Sequence, residues 1–504
     1  MTGLEFKLMR KTHRLLAPCA LVLAVLVGLT LADSAGATPL AAGSATTTVT
    51  ADAGVATVAN VAAKKSTKKK SKKAFRLHGG AVFNSATGGN AAKYRINNKL
   101  KAAIDHARKG SWIRIMSWNI MSKAATDHLL KAQKRGVTIH VLMDASNWSN
   151  KVPNPQFRRL KAGLRKGNKA KSAVGHSAAK VCHNSCRGKG GAAHAKYYLF
   201  GHSGKSKQVV MEGSANLTLA AARNQWNDLY TWIGRKNLYN FAVGIFDQAW
   251  HDKAVKNQWQ QFTTGPFTLA YSPDKGKNFI GNNVTRILSQ VKCKGATNTG
   301  NHRTVIRLFP DVMRGKRGLK NARQIKALWN KGCNVKVGYT VLSYKAHAVL
   351  TSTSGRGKVP LKHMVQDFNG DGQFDNYFHL KVLTVRGVIG SDKHAYKMTQ
   401  GSSNLSGLAS LSDENIGIFT KKSLVKKYEK HLSYWYAHAP RASTASTISS
   451  AGAAARTMTL SARTLLTPSG RPAADSDGYI APGTKVISPT TGKVVNPYAN
   501  VDAD

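Results

Sequence analysis

The stretch GAAHAKYYLFGHSGKSKQVVMEGSANLT, Gly191 to Thr218, carries the reading of the whole chain. His194 and Lys196 stand two apart and lead into the apolar run Tyr197–Phe200. Residues two apart on a strand point to the same face, so an imidazole and an ammonium lie side by side. A second strand-like run follows, and then Gly213-Ser214-Ala215-Asn216, a turn that offers a hydroxyl and an amide. A lone His-x-Lys arises by chance in a chain of 504 residues. Its meaning depends on whether the pattern returns.

It returns once, in HLKVLTVRGVIGSDKHAYKMTQGSSNLSG, His379 to Gly407. His379 and Lys381 repeat His194 and Lys196, and Gly401-Ser402-Ser403-Asn404 repeats Gly213 to Asn216. The histidines are 185 residues apart and the glycines 188. The surroundings repeat as well. WIRIMSWNI (Trp112–Ile120) alternates like a strand, AATDHLLKAQKRG (Ala124–Gly136) has helical spacing and ends in glycine, and VTIHVLMD (Val137–Asp144) is strand-like again. TVIRLFPDV (Thr304–Val312), NARQIKALWNKG (Asn321–Gly332) and CNVKVGYTVL (Cys333–Leu342) follow the same order. Each set is a β-α-β unit with parallel strands under a covering helix. The fold class is therefore α/β, with two similar halves at about residues 75–270 and 271–437 and a composite site at their interface.

Two imidazoles, two ammoniums and a set of neutral polar groups suit a phosphodiester. The lysines hold the non-bridging oxygens, one imidazole attacks phosphorus, and the other protonates the leaving oxygen. No cofactor is required for that chemistry. An imidazole nucleophile also wants a carboxylate on its other nitrogen to fix the tautomer, and Asp228 in QWNDLYTW and Glu414 in SDENIGIF are the candidates.

This arrangement resembles the phospholipase D superfamily, with its duplicated His-x-Lys-x4-Asp motif and downstream Gly-Ser-x-Asn, over roughly residues 75–437. The resemblance implies a phosphohistidine intermediate. It makes His194 and His379 nucleophile and general acid/base, in that order by the habit of related enzymes. Lys196, Lys381, Asn216 and Asn404 would bind phosphate, with Ser214 and Ser402 nearby. The chain departs from the pattern where the motif aspartate falls, at Gly201 and Arg386.

The composition narrows the partner. Lys and Arg total 76 against 23 Asp and Glu, a formal net charge of +53. Such a chain seeks polyanions, namely nucleic acid, anionic lipid or acidic wall polymers. Lys7, Arg10, Lys11 and Arg14 precede an apolar run from Leu15 to Leu31, and small residues end in Ala35-Gly36-Ala37. This reads as a secretory signal peptide over residues 1–37 and a secreted protein. Residues 38–74, with the lysine run KKSTKKKSKK, read as a disordered arm, and residues 438–504 as a flexible tail.

Four cysteines remain after residue 37, which allows three pairings. Cys182–Cys186 is favoured by proximity, and Cys293–Cys333 follows by elimination. A zinc site at Cys182, His183 and Cys186 is the alternative. DFNGDGQFD places Asp367, Asn369, Asp371 and Asp375 as in the first part of a calcium loop, without its closing glutamate. A structural calcium and an ion-free turn are the two readings. Trp226, Trp232, Trp250 and Trp259 read as core residues, and no protein partner is evident, so the expected state is a monomer.

Three functions fit. The first is a phospholipase D-like phosphodiesterase that cleaves or transfers glycerophospholipid head groups. The second is a metal-independent endonuclease with the same site. The third is an inactive binder of anionic surfaces, and the intact His and Lys of both halves weigh against it.

Overall fold

The computed structural model describes residues 74–274, 283–440 and 465–501. The expected signal peptide and nearly all of the lysine-rich arm lie outside them. Among the described residues no helix is long and apolar enough to cross a membrane.

Two sheets dominate. The first comprises β1 (Gly80–Phe83), β2 (Trp112–Met116), β3 (Thr138–Asp144), β4 (Ala178–Cys182), β5 (Tyr197–Ser203), β6 (Ser206–Gly213) and β7 (Asp228–Trp232). The second comprises β8 (Gln260–Thr264), β9 (Phe267–Tyr271), β10 (Val305–Phe309), β11 (Asn334–Tyr339), β12 (Leu361–His363), β13 (Val382–Ile389), β14 (Asp392–Gly401) and β15 (Asn415–Phe419). The short strand Val291–Lys292 pairs with β13.

Their orders are β4-β3-β2-β5-β6-β7-β1 and β12-β11-β10-β13-β14-β15-β9-β8. In both, the first three strands are parallel and the rest antiparallel. The two sheets thus share order and sense strand for strand, with β8 added to the second. The hairpin β8–β9 pairs with β15, so the boundary expected at 270/271 falls before Gln260 instead.

The crossover helix Lys123–Lys134 buries Ala125, Leu129 and Ala132, and Ser122 caps it by accepting from Ala125 N at 3.2 Å. Its counterpart spans Gly315–Asn330 and buries Ala322, Ile325 and Leu328. That helix begins six residues before the apolar pattern, because Gly315 and Gly318 hide its first turn from a propensity reading. A Cβ at Gly318 would stand 2.9 Å from Leu405 O, so the close approach explains the glycine.

A central core joins the sheets. It contains Met116, Tyr197, Trp226 and Trp232 from the first half and Phe309, Phe378, Val382 and Phe419 from the second. Separate cores lie beneath the crossover helices of each half. Trp226 stacks on Phe378 across the junction, with centroids 4.7 Å apart. Trp250 and Trp259 are only partly buried.

The tail expected to be flexible is not so over residues 465–501. Leu465, Ile480, Val486 and Tyr498 bury themselves against Val312, Val341, Val365 and Phe374 of the second half. The apolar residues of this segment are widely spaced and follow neither strand nor helix period. Each docks singly onto a surface already formed, which no pattern in the segment announces. Residues 441–464 lie outside the described ones.

Candidate active site

The strands β5 and β13 each begin just after a His-x-Lys, and β6 and β14 each end in the glycine of a Gly-Ser-x-Asn. Both glycines are dictated by crowding. A Cβ at Gly213 would stand 2.2 Å from Asp228 O, and one at Gly401 2.1 Å from Asn415 O. The chain then turns so that Ser214 N donates to Asp228 O and Ser402 N to Asn415 O. Asp228 and Asn415 are therefore counterparts, and so are the residues before them, Asn227 and Glu414.

Each His-x-Lys docks on the other half. Ala193 bridges to Asp413, and Lys196 N donates to Asn415 Oδ1 at 2.6 Å. His379 N donates to Trp226 O at 3.1 Å. The side chains follow suit. His194 Nδ1 lies 3.0 Å from both carboxylate oxygens of Glu414, and Ser402 Oγ also donates to Glu414. Burial pushes the Glu414 carboxyl up, but the His194 imidazole, the Lys196 ammonium and the Ser402 hydroxyl beside it outweigh that and hold the group below its ordinary range. His379 Nδ1 lies 2.8 Å from Asn227 Oδ1, which Ser214 Oγ also reaches at 2.9 Å.

Asn227 was not foreseen, and Asp228 does not orient His379. The Asp228 carboxylate accepts from Tyr428 Oη at 2.7 Å and from Ser214 N at 3.3 Å, and burial raises it to about 6. The signal for Asn227 lay in the motif register. Glu414 stands twelve residues after Ser402, and Asn227 thirteen after Ser214. A one-residue longer loop and the expectation of an acid pointed one position too far. Asn227 Nδ2 donates to Ala221 O at 3.1 Å, which turns Oδ1 to His379 and places the proton on His379 Nδ1.

The lysines adopt one geometry. Lys196 Nζ donates to His194 O at 2.5 Å and Lys381 Nζ to His379 O at 2.9 Å. Lys381 Nζ also lies 2.8 Å from Asp311 Oδ2, which stands 3.8 Å from His379 Nε2. Asp311 is a second residue that the sequence reading missed. Asn216 Oδ1 accepts from Asn119 N at 3.4 Å, and Asn404 Oδ1 from Val312 N at 3.3 Å. These amides brace the loops that leave β2 and β10. His194, Lys196, Ser214, Asn216, His379, Lys381, Ser402 and Asn404 are all buried.

The motif-aspartate positions contact none of this. Arg386 forms a double ion pair with Glu429 and donates to Asn298 O, and Gly201 lies beside Trp112 N and the Tyr239 hydroxyl. Their loss leaves the paired histidines intact.

Both favoured disulfides form, Cys182–Cys186 and Cys293–Cys333. The zinc alternative is thereby removed. Cys182, Cys186 and Asp252 are the only metal-like grouping among the described residues, and its thiols are bonded to each other. The calcium-like loop uses its oxygens on its own backbone. Asp367 accepts from Gly370 N and Gly372 N, Asn369 from Asp371 N, Asp371 from Gln373 N, and Asp375 from Phe368 N. It has the bonding of an Asx-rich turn.

In these two pseudo-equivalent sheets each motif histidine is held by a side chain from the opposite half. Residues 100–250 match the family model described as cardiolipin synthase, PLD-like domain, a stretch that holds His194, Lys196, Asn216 and Asn227. Over those residues the chain carries a phospholipase D-like domain.

Among solved structures, phosphatidylserine synthase from Haemophilus influenzae Rd KW20 aligns at TM-score 0.47 and 12% identity, over 70% of this chain and 85% of that one. Polyphosphate kinase from Porphyromonas gingivalis aligns at 0.46 and 11%, over 70% and 49%, so this chain spans about half its length. Nuc from Salmonella typhimurium, a phospholipase D family member, aligns at 0.27 and 16%, over 35% and 96%. No curated protein sequence matches the chain.

Proposed function

We propose that the protein is an exported phosphodiesterase that releases or transfers the head group of glycerophospholipids. The observation that carries this reading is apolar exposure beside both phosphate-site turns. Leu219, 46% exposed, follows Asn216 by three residues, and Leu408 and Leu411, 40% and 46% exposed, follow Asn404. Leu411 lies against Gly190 and Gly191, which lead into His194. Leucines bared beside a buried, cationic site suit a lipid surface better than a hydrated polymer. Two disulfides and the signal-like first 37 residues fit an oxidising, extracellular setting.

The mechanism follows from the asymmetry of the two histidines. His194, backed by the Glu414 anion, keeps its proton on Nδ1 and attacks phosphorus through the Nε2 lone pair. The bond from phosphorus to the head-group oxygen breaks, and His379 Nε2–H gives that oxygen its proton. Asp311, 3.8 Å from His379 Nε2, favours the protonated form needed for this step. Lys196 and Lys381 balance charge on the non-bridging oxygens. Water or an alcohol then loses a proton to His379, attacks phosphorus and frees His194.

The test is direct. Purified protein, with chelator present, is incubated with phosphatidylcholine, phosphatidylglycerol and plasmid DNA. Choline or glycerol release without DNA nicking supports the proposal. Nicking without release replaces it with the nuclease, which the +53 charge favours. Binding without turnover of any of the three leaves the inactive binder.

A further inference from the structure

At the opposite end of the second sheet lies a groove of 1210 Å³ that the phosphodiester chemistry does not use. Its walls are the residues around the starts of β10 and β11, whereas Asp311 and the catalytic loops follow the far ends of those strands. The separation is about one strand length, roughly 15–20 Å. The Cys293–Cys333 disulfide forms part of the lining.

The side chains are cations and neutral donors. Lys292, Lys294, Arg303, Lys331, Lys336 and Arg356 line the groove, with no acidic residue beside them. None of the six has a carboxylate partner among the described residues. Lys336 is held below its ordinary range by burial and then by the like charges of Arg307 and Lys362. Three asparagines complete the walls. Asn301 Oδ1 accepts from Arg303 N, Asn330 Oδ1 from Arg356 N, and Asn334 Oδ1 from the Arg307 guanidinium. Each commits its acceptor to the protein and leaves its amide N–H groups for a ligand. A recess with this set of side chains complements a chain of anions that also carries oxygen acceptors.

We infer that this groove is a second, non-catalytic binding site for a linear polyol-phosphate polymer. A nucleic acid lacks its stacking platform here, because Trp329 is the groove's aromatic residue and Arg356 covers its ring at 3.6 Å. The Trp329 indole N–H is also held, by Gly357 O at 3.0 Å. Phosphates suit the cations of the groove, and hydroxyl oxygens suit the asparagine donors. Binding at this end would leave the leucine-flanked catalytic end accessible.

The experiment compares the full-length protein with two triple variants of equal charge change. One is K292E/K294E/K331E in the groove, and the other is K131E/K134E/K166E on exposed helices of the first half. Binding of poly(glycerol phosphate), a single-stranded oligonucleotide and phosphatidylglycerol vesicles is measured across a salt series, with melting temperature as the check on folding. The groove variant should lose about tenfold or more in poly(glycerol phosphate) affinity, and its log-affinity slope against log salt should flatten by about two. The control variant should keep both. Equal losses in the two variants would reduce the effect to general charge and overturn the inference. So would failure of the unmodified protein to bind the polymer, or a larger groove-specific loss for the oligonucleotide or the vesicles.

Discussion

His194 Nδ1 lies 3.0 Å from the Glu414 carboxylate, whereas the position that answers Glu414 in the first half is Asn227, 2.8 Å from His379 Nδ1. One histidine is thus backed by an anion and the other by a neutral amide. The two halves share a topology, and in the proposed mechanism this difference divides the chemical labour between them.

The division is testable by exchange. Glu414→Gln keeps the shape but removes the charge, and kcat should fall by about 100-fold. Asn227→Asp places an anion behind the proposed acid, which should carry the alkaline limb of the kcat/KM profile upward by about one pH unit. If Asn227→Asp instead moved only the acidic limb, the nucleophile and the acid would have to trade places. His194→Ala and His379→Ala should each abolish turnover.

A buried acid predicts the pH dependence of stability. Glu212 on β6 accepts from Asn415 Nδ2 at 2.6 Å and from Gln400 Nε2, and Gln400 is its counterpart on β14. Burial raises Glu212 from 4.5 to about 8. A carboxyl raised on folding favours the protonated native state. Its contribution is complete below the unfolded value near 4.5 and is lost as pH rises toward 8. The Asp413 carboxyl, raised to about 7 by burial, acts in the same direction. The unfolding free energy should therefore decline between pH 5 and pH 8, and the decline should be shallower in Glu212→Gln. A flat profile in the unmodified protein would refute the assignment.

The histidines, lysines and Gly-Ser-x-Asn turns were legible because each motif is local and each occurs twice. Glu414 was legible because it stands just downstream of the second motif, ahead of the strand Asn415–Phe419, where a carboxylate for an imidazole is wanted. Asn227 was not, because an amide that replaces an acid carries no chemical flag and the loop before it is one residue longer. Asp311 escaped because its partner Lys381 is seventy residues away. The expected boundary at 270/271 cuts through the hairpin Gln260–Tyr271 because strand pairing is non-local, and nothing within the hairpin names β15 as its neighbour.

The two disulfides should separate stability from activity. Cys293–Cys333 closes a loop of 40 residues, and its removal should destabilise the fold by about 4 kcal/mol. Cys182–Cys186 spans only four residues and contributes about 2 kcal/mol on the same scale. Its position matters more. Cys186 N donates to Asp413 Oδ2 at 2.5 Å, Asp413 N donates to Ala192 O at 2.9 Å, and Ala193 and Glu414 come next on the two segments. Cys182→Ser with Cys186→Ser should thus lower kcat more than Cys293→Ser with Cys333→Ser does, while denaturant midpoints fall in the opposite order. Equal effects on kcat would show that the short disulfide does not help hold the His194 loop.

The segment 465–501 makes the last prediction, because it packs on the reverse side of residues that shape the site. Ile480 is fully buried against a cluster that includes Val312, and Val312 N is the donor that Asn404 Oδ1 accepts. Val312 also follows Asp311, the carboxylate on Lys381. Ile480→Ala should cost about 2–5 kcal/mol in urea unfolding. Deletion of residues 465–504 should bare Val341, Val365 and Phe374 and loosen the Asp311–Lys381 pair. Activity should then fall through a raised KM even under conditions where most of the protein stays folded. If the deletion left both the unfolding midpoint and KM unchanged, the segment would be the dispensable tail that its composition suggests.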